Sequence, residues 1–125
     1  MKIKELKLRN FRNYNVLSLE PGDNFNIIYG ENGQGKTNII EAIFLCASGR
    51  SHRTSRDTEL IRLESSSYGV LLNYERDLRD FSLEINYQKG EKKKIKLNEI
   101  PLKKLGDMIG KFNAVIFSPD RKSVV

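Results

Sequence analysis

Cysteine and histidine are nearly absent from this chain, with one of each, Cys46 and His52. A lone cysteine cannot close an internal disulfide, and Cys46 lies on an apolar stretch, so it reads as a small core residue of a cytosolic protein. One histidine without a cluster of cysteines or carboxylates is poor material for a metal centre or a general base, and His52 reads as a solvated loop residue. Long hydrophobic runs are missing as well. No stretch approaches the ~18 apolar residues of a membrane span, and the opening Met1-Lys2-Ile3-Lys4-Glu5 lacks the apolar segment of a signal peptide. The expectation is a cytoplasmic protein with no membrane partner. Internal repeats and low-complexity linkers are absent too, which excludes a solenoid or a tethered array.

What is present is an ordinary globular composition, 38% apolar and 30% charged, over 125 residues. That is enough for one compact domain but short for a nucleotide-hydrolysing fold, so the chain reads as part of something larger. The net charge is +6, and its distribution is uneven: residues 89–104 hold seven lysines against two glutamates. Such a window is either the footprint of a polyanion partner or a solvated edge that discourages aggregation.

Hydrophobic periodicity outlines an α/β fold. Ile3, Leu6 and Leu8, then Val16, Leu17 and Leu19, predict two short strands around the polar segment Arg9 to Tyr14, and Pro21-Gly22 turns the chain into a third strand at Phe25 to Tyr29. Ile39, Ile40, Ile43, Phe44 and Ala47 predict one apolar helix face, with Asn38 and Glu41 pointing elsewhere. The segment Ser48 to Asp57 predicts an exposed basic loop before a helical turn over Thr58 to Leu63. Tyr68 to Tyr74 reads as a strand, Phe81, Leu83, Ile85 and Tyr87 alternate strictly with polar residues, and Lys89-Gly90 turns into a strand over Lys92 to Leu97. An antiparallel β section over Tyr68 to Leu97 is therefore expected beside a mixed sheet. Leu102, Leu105 and Ile109 predict a helix from Ile100 to Ile109, stopped by Gly110, before a buried strand over Phe112 to Phe117.

The segment between the third strand and the long helix carries the chemistry. Gly30, Glu31, Asn32, Gly33, Gln34, Gly35, Lys36 and Thr37 fit the spacing G-x-x-x-x-G-K-[ST]. Glycines let successive backbone N–H groups wrap closely around a phosphate, and a helix starting near Lys36 directs its unpaired N–H groups and positive dipole end at the same anion. Lys36 adds a full charge at the β and γ phosphates, and the Thr37 hydroxyl is placed to ligate Mg²⁺. Hydrolysis would also require an acid at the end of a second strand. Asp120 does not fit that role, because Pro119 intervenes after Phe117-Ser118.

Four segments in order, Leu6 to Tyr14 (LKLRNFRNY), Ile27 to Ile43 (IIYGENGQGKTNIIEAI), Gly49 to Thr54 (GRSHRT) and Val115 to Asp120 (VIFSPD), resemble the N-terminal part of the RecF family, bacterial repair proteins of the SMC-like group of ABC-type ATPases. The resemblance covers essentially the whole chain. It implies a truncated P-loop lobe, residues 1–125, with the signature motif, the Walker B acid and the rest of the head lying outside it. It also implies a slow ATPase that needs ATP and Mg²⁺, forms an ATP-dependent homodimer, and binds duplex DNA near single-strand gaps and junctions. RecR and RecO are the implied partners, RecA loading the implied outcome, and recombinational repair, replication restart and the SOS response to DNA damage the setting. Carried over by position, Gly30 to Thr37 form the ATP and Mg²⁺ site, and Arg12 and Asn13 match the segment that reaches the nucleotide. Arg50 and Arg53 match less definite positions, touching nucleotide, a second subunit, DNA or only solvent. The chain departs from the family pattern at Arg121, where an acidic residue is commoner.

Two other readings share the P-loop. A small phosphotransferase would need an arginine-bearing lid and an acceptor-binding acid soon after the helix, which the lysine-rich window fits poorly. A DNA-binding module that keeps nucleotide as a structural ligand needs neither, and no turnover is expected of these 125 residues alone.

Overall fold

A computed structural model describes residues 2–20, 33–103, 115–118 and 121–124. The strands are β1 (Lys2–Phe11), β2 (Tyr14–Leu19), β3 (Ser67–Arg76), β4 (Arg79–Gln88), β5 (Lys94–Leu97) and β6 (Ile100–Pro101). They form one sheet in the order β2-β1-β3-β4-β5-β6, every neighbouring pair antiparallel. One helix, α1 (Gly33–Ser48), packs on a face of this sheet against β3 and β4. The expected strand at residues 25–29, which would make the sheet mixed, lies outside the described residues. Among the described residues no helix is long and apolar enough to cross a membrane.

The first strand is longer than its sequence suggests. Rather than ending before a polar loop, β1 runs through Arg9 and Asn10 to Phe11, and only Arg12-Asn13 turn into β2, with Phe11 opposite Tyr14. Strict alternation would bury Leu6, Leu8 and Asn10 on one face. Asn10 instead takes a left-handed backbone, φ +50°, and Phe11 is fully buried. A register shift between Ile3 and Glu5 makes the same correction at the other end, so Ile3, Leu6, Leu8 and Phe11 all reach the core.

The β section between Tyr68 and Leu97 is antiparallel as expected. Leu83 and Ile85 of β4 are fully buried opposite Leu72 and Val70 of β3, each contributing about 2 kcal/mol of burial. Tight turns join the strands: Asp77-Leu78 and Asn98-Glu99 all have positive φ, the backbone that matches the right-handed twist of a hairpin. The second turn corrects the expected helix from Ile100. Asn98 exchanges bonds with Ser82, its N–H donating to the Ser82 carbonyl and its Oδ1 accepting from the Ser82 N–H, both at 2.8 Å, and this leads Ile100 and Pro101 into edge strand β6. Pro101 sits where a missing N–H costs no ladder bond. The remainder of that predicted helix lies outside the described residues.

α1 is also rotated from its expected face. Ile43 and Ala47 of that face are buried, but Ile39, Ile40 and Phe44 are only half-buried, and Ala42, Leu45 and Cys46 are completely buried in their place. Gly49, at φ +80°, ends the helix with its N–H on the Leu45 carbonyl at 2.7 Å. The predicted turn after the basic loop is a 3₁₀ turn at Asp57–Leu60, and Ile61 pairs instead with Phe11. Of the predicted strand over Phe112 to Phe117, residues 115–117 are described; they belong to β7 (Val115–Ser118), which pairs antiparallel with β8 (Arg121–Val124), a strand the sequence did not announce.

Candidate functional site

α1 begins at Gly33, three residues before the expected start, so the G-x-G-K-T half of the glycine-rich motif is the first turn of the helix. The helix N-terminus therefore presents its unpaired N–H groups within that motif. Gly30, Glu31 and Asn32 lie outside the described residues, and Gly33, Gln34, Gly35 and Lys36 are described by backbone alone. Thr37 is half-buried in the same turn.

Directly below that turn sits a buried carboxylate. Glu41 has no solvent exposure, and the Arg12 guanidinium donates to both its oxygens, Nε to Oε1 at 2.8 Å and Nη2 to Oε2 at 2.9 Å. Ser51 Oγ donates to Oε2, and Arg53 Nη1 reaches Oε1 at 3.3 Å. Burial on its own would push the Glu41 carboxyl up; the hydrogen bonds from Arg12 and Ser51 and the charges of Arg12 and Arg53 outweigh it and hold the group below its ordinary value. Asn38, one turn earlier, is buried beside it. Its amide nitrogen donates to Asn13 Oδ1 at 2.7 Å and its oxygen accepts from Arg53 Nη1 at 2.7 Å.

Asn38 and Glu41 do point away from the apolar residues of the helix, as expected, but into a buried polar cluster, and the exposed basic loop over Ser48 to Asp57 is anchored to that cluster through Ser51 and Arg53. Arg53 is tied to two helix side chains, and Ser51 accepts the N–H of Arg53 at 2.9 Å and of Thr54 at 3.3 Å, which shapes the turn. Arg50 stays exposed, and His52, also exposed, leans on Phe44 with ring centroids 5.0 Å apart.

Backbone strain aims Arg12 at this cluster. Its φ of +53° is left-handed, costing a non-glycine residue roughly 1 kcal/mol or more. Three contacts hold it there: the carboxylate, its own N–H on the Leu60 carbonyl at 2.8 Å, and the neighbouring bond from Arg62 N–H to the Asn10 carbonyl at 2.8 Å. Arg12, Asn13, Asn38 and Arg53 line one side of an open depression of about 530 Å³, and Glu59, Ile61, Arg62, Leu63 and Glu64 line the other. Two guanidinium groups and two amides thus converge beside the first turns of the helix that begins within the glycine-rich motif.

A second network fixes the loop from behind. Tyr68, fully buried, donates its hydroxyl to Asp57 Oδ1 at 2.8 Å, and Lys93 Nζ donates to the same oxygen at 3.1 Å and to the Gly49 carbonyl at 2.5 Å. Burial and the Asp57 carboxylate push the Tyr68 hydroxyl far up, so it stays a donor. One lysine of the basic window therefore has a structural task. Among the described residues no group of three or more His, Cys, Asp or Glu could hold a metal.

Sequence comparison matches residues 5–121 to a family described as an AAA domain. The chain is 55% identical over 120 residues to the DNA replication and repair protein RecF of Acetivibrio thermocellus, an alignment covering 96% of this chain and 32% of that protein. It spans about a third of the length of the curated relatives it matches. Among solved structures, the recombination mediator protein RecF-ATPrS of the RecFOR pathway superimposes with a TM-score of 0.87 at 39% identity, covering 94% of this chain and 32% of that one. The SMC head domain from Thermotoga maritima shares the fold, with a TM-score of 0.67 at 21% identity over 90% of this chain and 42% of that domain.

Proposed function

The chain belongs to the AAA domain family and is a relative of the RecF proteins, and from that premise we propose that it is the phosphate-binding N-terminal lobe of an ATP-dependent DNA-binding protein of recombinational repair and replication restart. The observation that carries this reading is the convergence of Arg12, Asn13 and Arg53 on Asn38 and Glu41, directly behind the first turn of α1.

In this reading the phosphates of ATP lie against the N–H groups of Gly33, Gln34 and Gly35, with Gly30, Glu31 and Asn32 completing the loop and Lys36 supplying the charge. The Thr37 hydroxyl, in the same turn, would hold Mg²⁺, which draws charge from the phosphate oxygens when bound; one hydroxyl suffices because that ion takes its other ligands from phosphates and water. Arg12 and Asn13 face the depression beside the helix and bind the nucleotide from the side. Glu41 keeps both guanidinium groups from swinging away, a positioning task rather than a catalytic one. The sequence shows no apolar strand ending in an acid that could help orient the attacking water, and in this reading turnover belongs to the assembled protein, an ATP-dependent homodimer whose signature motif and Walker B acid are supplied from outside residues 1–125.

Duplex DNA beside single-strand gaps is the proposed substrate, RecR and RecO are the proposed partners in assisting RecA loading, and the cytoplasm is the proposed location. The test is duplex DNA binding by the full-length protein with and without ATP. Binding that requires ATP and disappears in Lys36→Ala is expected. ATP-independent binding at equal affinity in that variant would refute the coupling.

A further inference from the structure

We propose that the solvent face of the sheet, at the end where Arg9 of β1 and Lys94 of β5 lie, docks the sugar-phosphate backbone of duplex DNA. The inference rests on the reading above that the protein binds DNA, and assigns the surface that does so.

The register puts these residues in rows. Arg9, Gly69, Asn86 and Lys94 lie side by side across β1, β3, β4 and β5, and Lys7, Leu71, Glu84 and Lys96 form the next row. Their chain neighbours Leu8, Val70, Ile85 and Ile95 are buried on the helix side, so these rows face away from the core. Lys7, Arg9, Lys94 and Lys96 are all exposed, as is Lys92 just before β5.

Gly69 shapes the middle of the upper row. A Cβ there would lie 3.0 Å from Arg9 Nη2 and 3.0 Å from Asn86 Oδ1. The absence of a side chain therefore lets the guanidinium lie low over the β3 backbone, where Nη1 donates to Ser67 Oγ at 3.1 Å. The result is a shallow depression of about 150 Å³ lined by Ser67, Asn86, Tyr87 and Gln88, with Arg9, Lys92 and Lys94 and one carboxylate, Glu91, around it. Hydroxyl and amide groups of this kind bind phosphate and sugar without reading bases.

Charge on this face is polarised. Glu84 and Glu91 are the carboxylates near the basic rows, whereas Glu5, Glu75 and Asp80 lie toward the opposite end, where Glu5 accepts from Asn73 at 2.9 Å and Glu75 pairs with Lys4 at 3.3 Å. Lys7 makes a loose pair with Glu5 at 3.7 Å, and Lys92, Lys94 and Lys96 form no ion pair among the described residues. The two cation columns on β1 and β5 are three strands apart, about 14 Å, comparable with the ~12 Å width of a major groove. Long side chains on both columns can therefore reach phosphates of both strands of a duplex. A single strand would need an aromatic platform, and the nearby Tyr87 ring is turned onto Tyr68, with centroids 5.7 Å apart.

The test uses the full-length protein with ATP and measures duplex DNA affinity against salt. Each lost phosphate contact lowers the log–log salt slope by about 0.9, so Arg9→Gln/Lys94→Gln/Lys96→Gln should lose about 2 to 3 from the slope. Lys94→Gln/Lys96→Gln, which leaves the Arg9 contact to Ser67 intact, should lose about 2. The charge-matched control Lys4→Gln/Arg76→Gln/Arg79→Gln, at the opposite end, should keep the slope, and all variants should keep their ATP affinity. Equal slopes for wild type and the Lys94/Lys96 variant would overturn the surface assignment while leaving DNA binding standing. Absence of duplex binding by the wild-type protein would overturn the DNA reading itself and this inference with it.

Discussion

Removing Arg12 should damage the fold before it damages anything else. Arg12→Ala deletes the two bonds, 2.8 and 2.9 Å, that neutralise a carboxylate with no solvent exposure. Arg53 and Ser51 remain, but Arg53 approaches only to 3.3 Å and its side chain is 34% exposed. Breaking a buried ion pair from one side costs about 3–5 kcal/mol. Because the Arg12 side chain is itself 22% exposed and the compensation from Arg53 persists, the loss should fall at the low end, about 3 kcal/mol. A loss of that size in a chain this long lowers the melting temperature by roughly 10 °C. Arg12→Gly should lose less than Arg12→Ala by about 1 kcal/mol, since glycine takes φ +53° without strain. Glu41→Gln, which leaves cations that can turn to water, should cost about 2 kcal/mol. The double variant Arg12→Ala/Glu41→Gln should be at least ~1 kcal/mol more stable than the sum of the single losses implies. The assay is urea denaturation of wild type, the three single variants and the double variant. Losses below about 1 kcal/mol, or strict additivity, would refute the claim that this pair holds the site together.

Acid should act through the same carboxylate. The Glu41 pKa is lower folded than unfolded, so its contribution is full above the ordinary glutamate value and is lost as the pH falls through the depressed folded value. Wild type should therefore lose more stability than Glu41→Gln on acidification below about pH 4.5, measured as denaturation midpoints; parallel curves would count against it. Cys46 should not react with a thiol reagent in the native state, because it is wholly buried and burial pushes its thiol up; labelling as fast as in urea would contradict its place in the core. The 125-residue chain alone should release no phosphate from ATP above background, with or without duplex DNA; turnover that vanishes in Lys36→Ala would show a complete active site within these residues.

Legibility differed between the sheet and the site. The alternation of Phe81, Leu83, Ile85 and Tyr87 announced β4 because one face of that strand is core and the other solvent, the condition under which period two appears in sequence. The end of β1 was hidden: Arg9 and Asn10 look like a loop, yet Asn10 uses a left-handed residue to return Phe11 to the core. Leu102, Leu105 and Ile109 suggested a helix from Ile100, while the decisive signal was local, an asparagine at the first position of a hairpin turn. The G-x-x-x-x-G-K-[ST] spacing of residues 30–37 is plain in the sequence. The support behind it is not, because Asn38 and Glu41 were sorted by polarity, and polarity cannot show that their partners come from residues 12, 13, 51 and 53. Two arginine-bearing segments flanking a helix with an acid and an amide one turn apart were the available clue. The lysine-rich window proved mixed, with Lys93 tied to Asp57 and Gly49 while Lys92, Lys94 and Lys96 stand exposed.

The measurement that bears most directly on the central claim is calorimetric titration of ATP with Mg²⁺ into the full-length protein and into its Lys36→Ala variant. A single lysine adds little to folding but supplies the charge that the β and γ phosphates require, so the account predicts that the variant keeps the wild-type circular dichroism spectrum and melting curve and shows no detectable ATP binding. A folded Lys36→Ala protein that bound ATP as tightly as wild type would contradict the assignment of residues 30–37 as the nucleotide site.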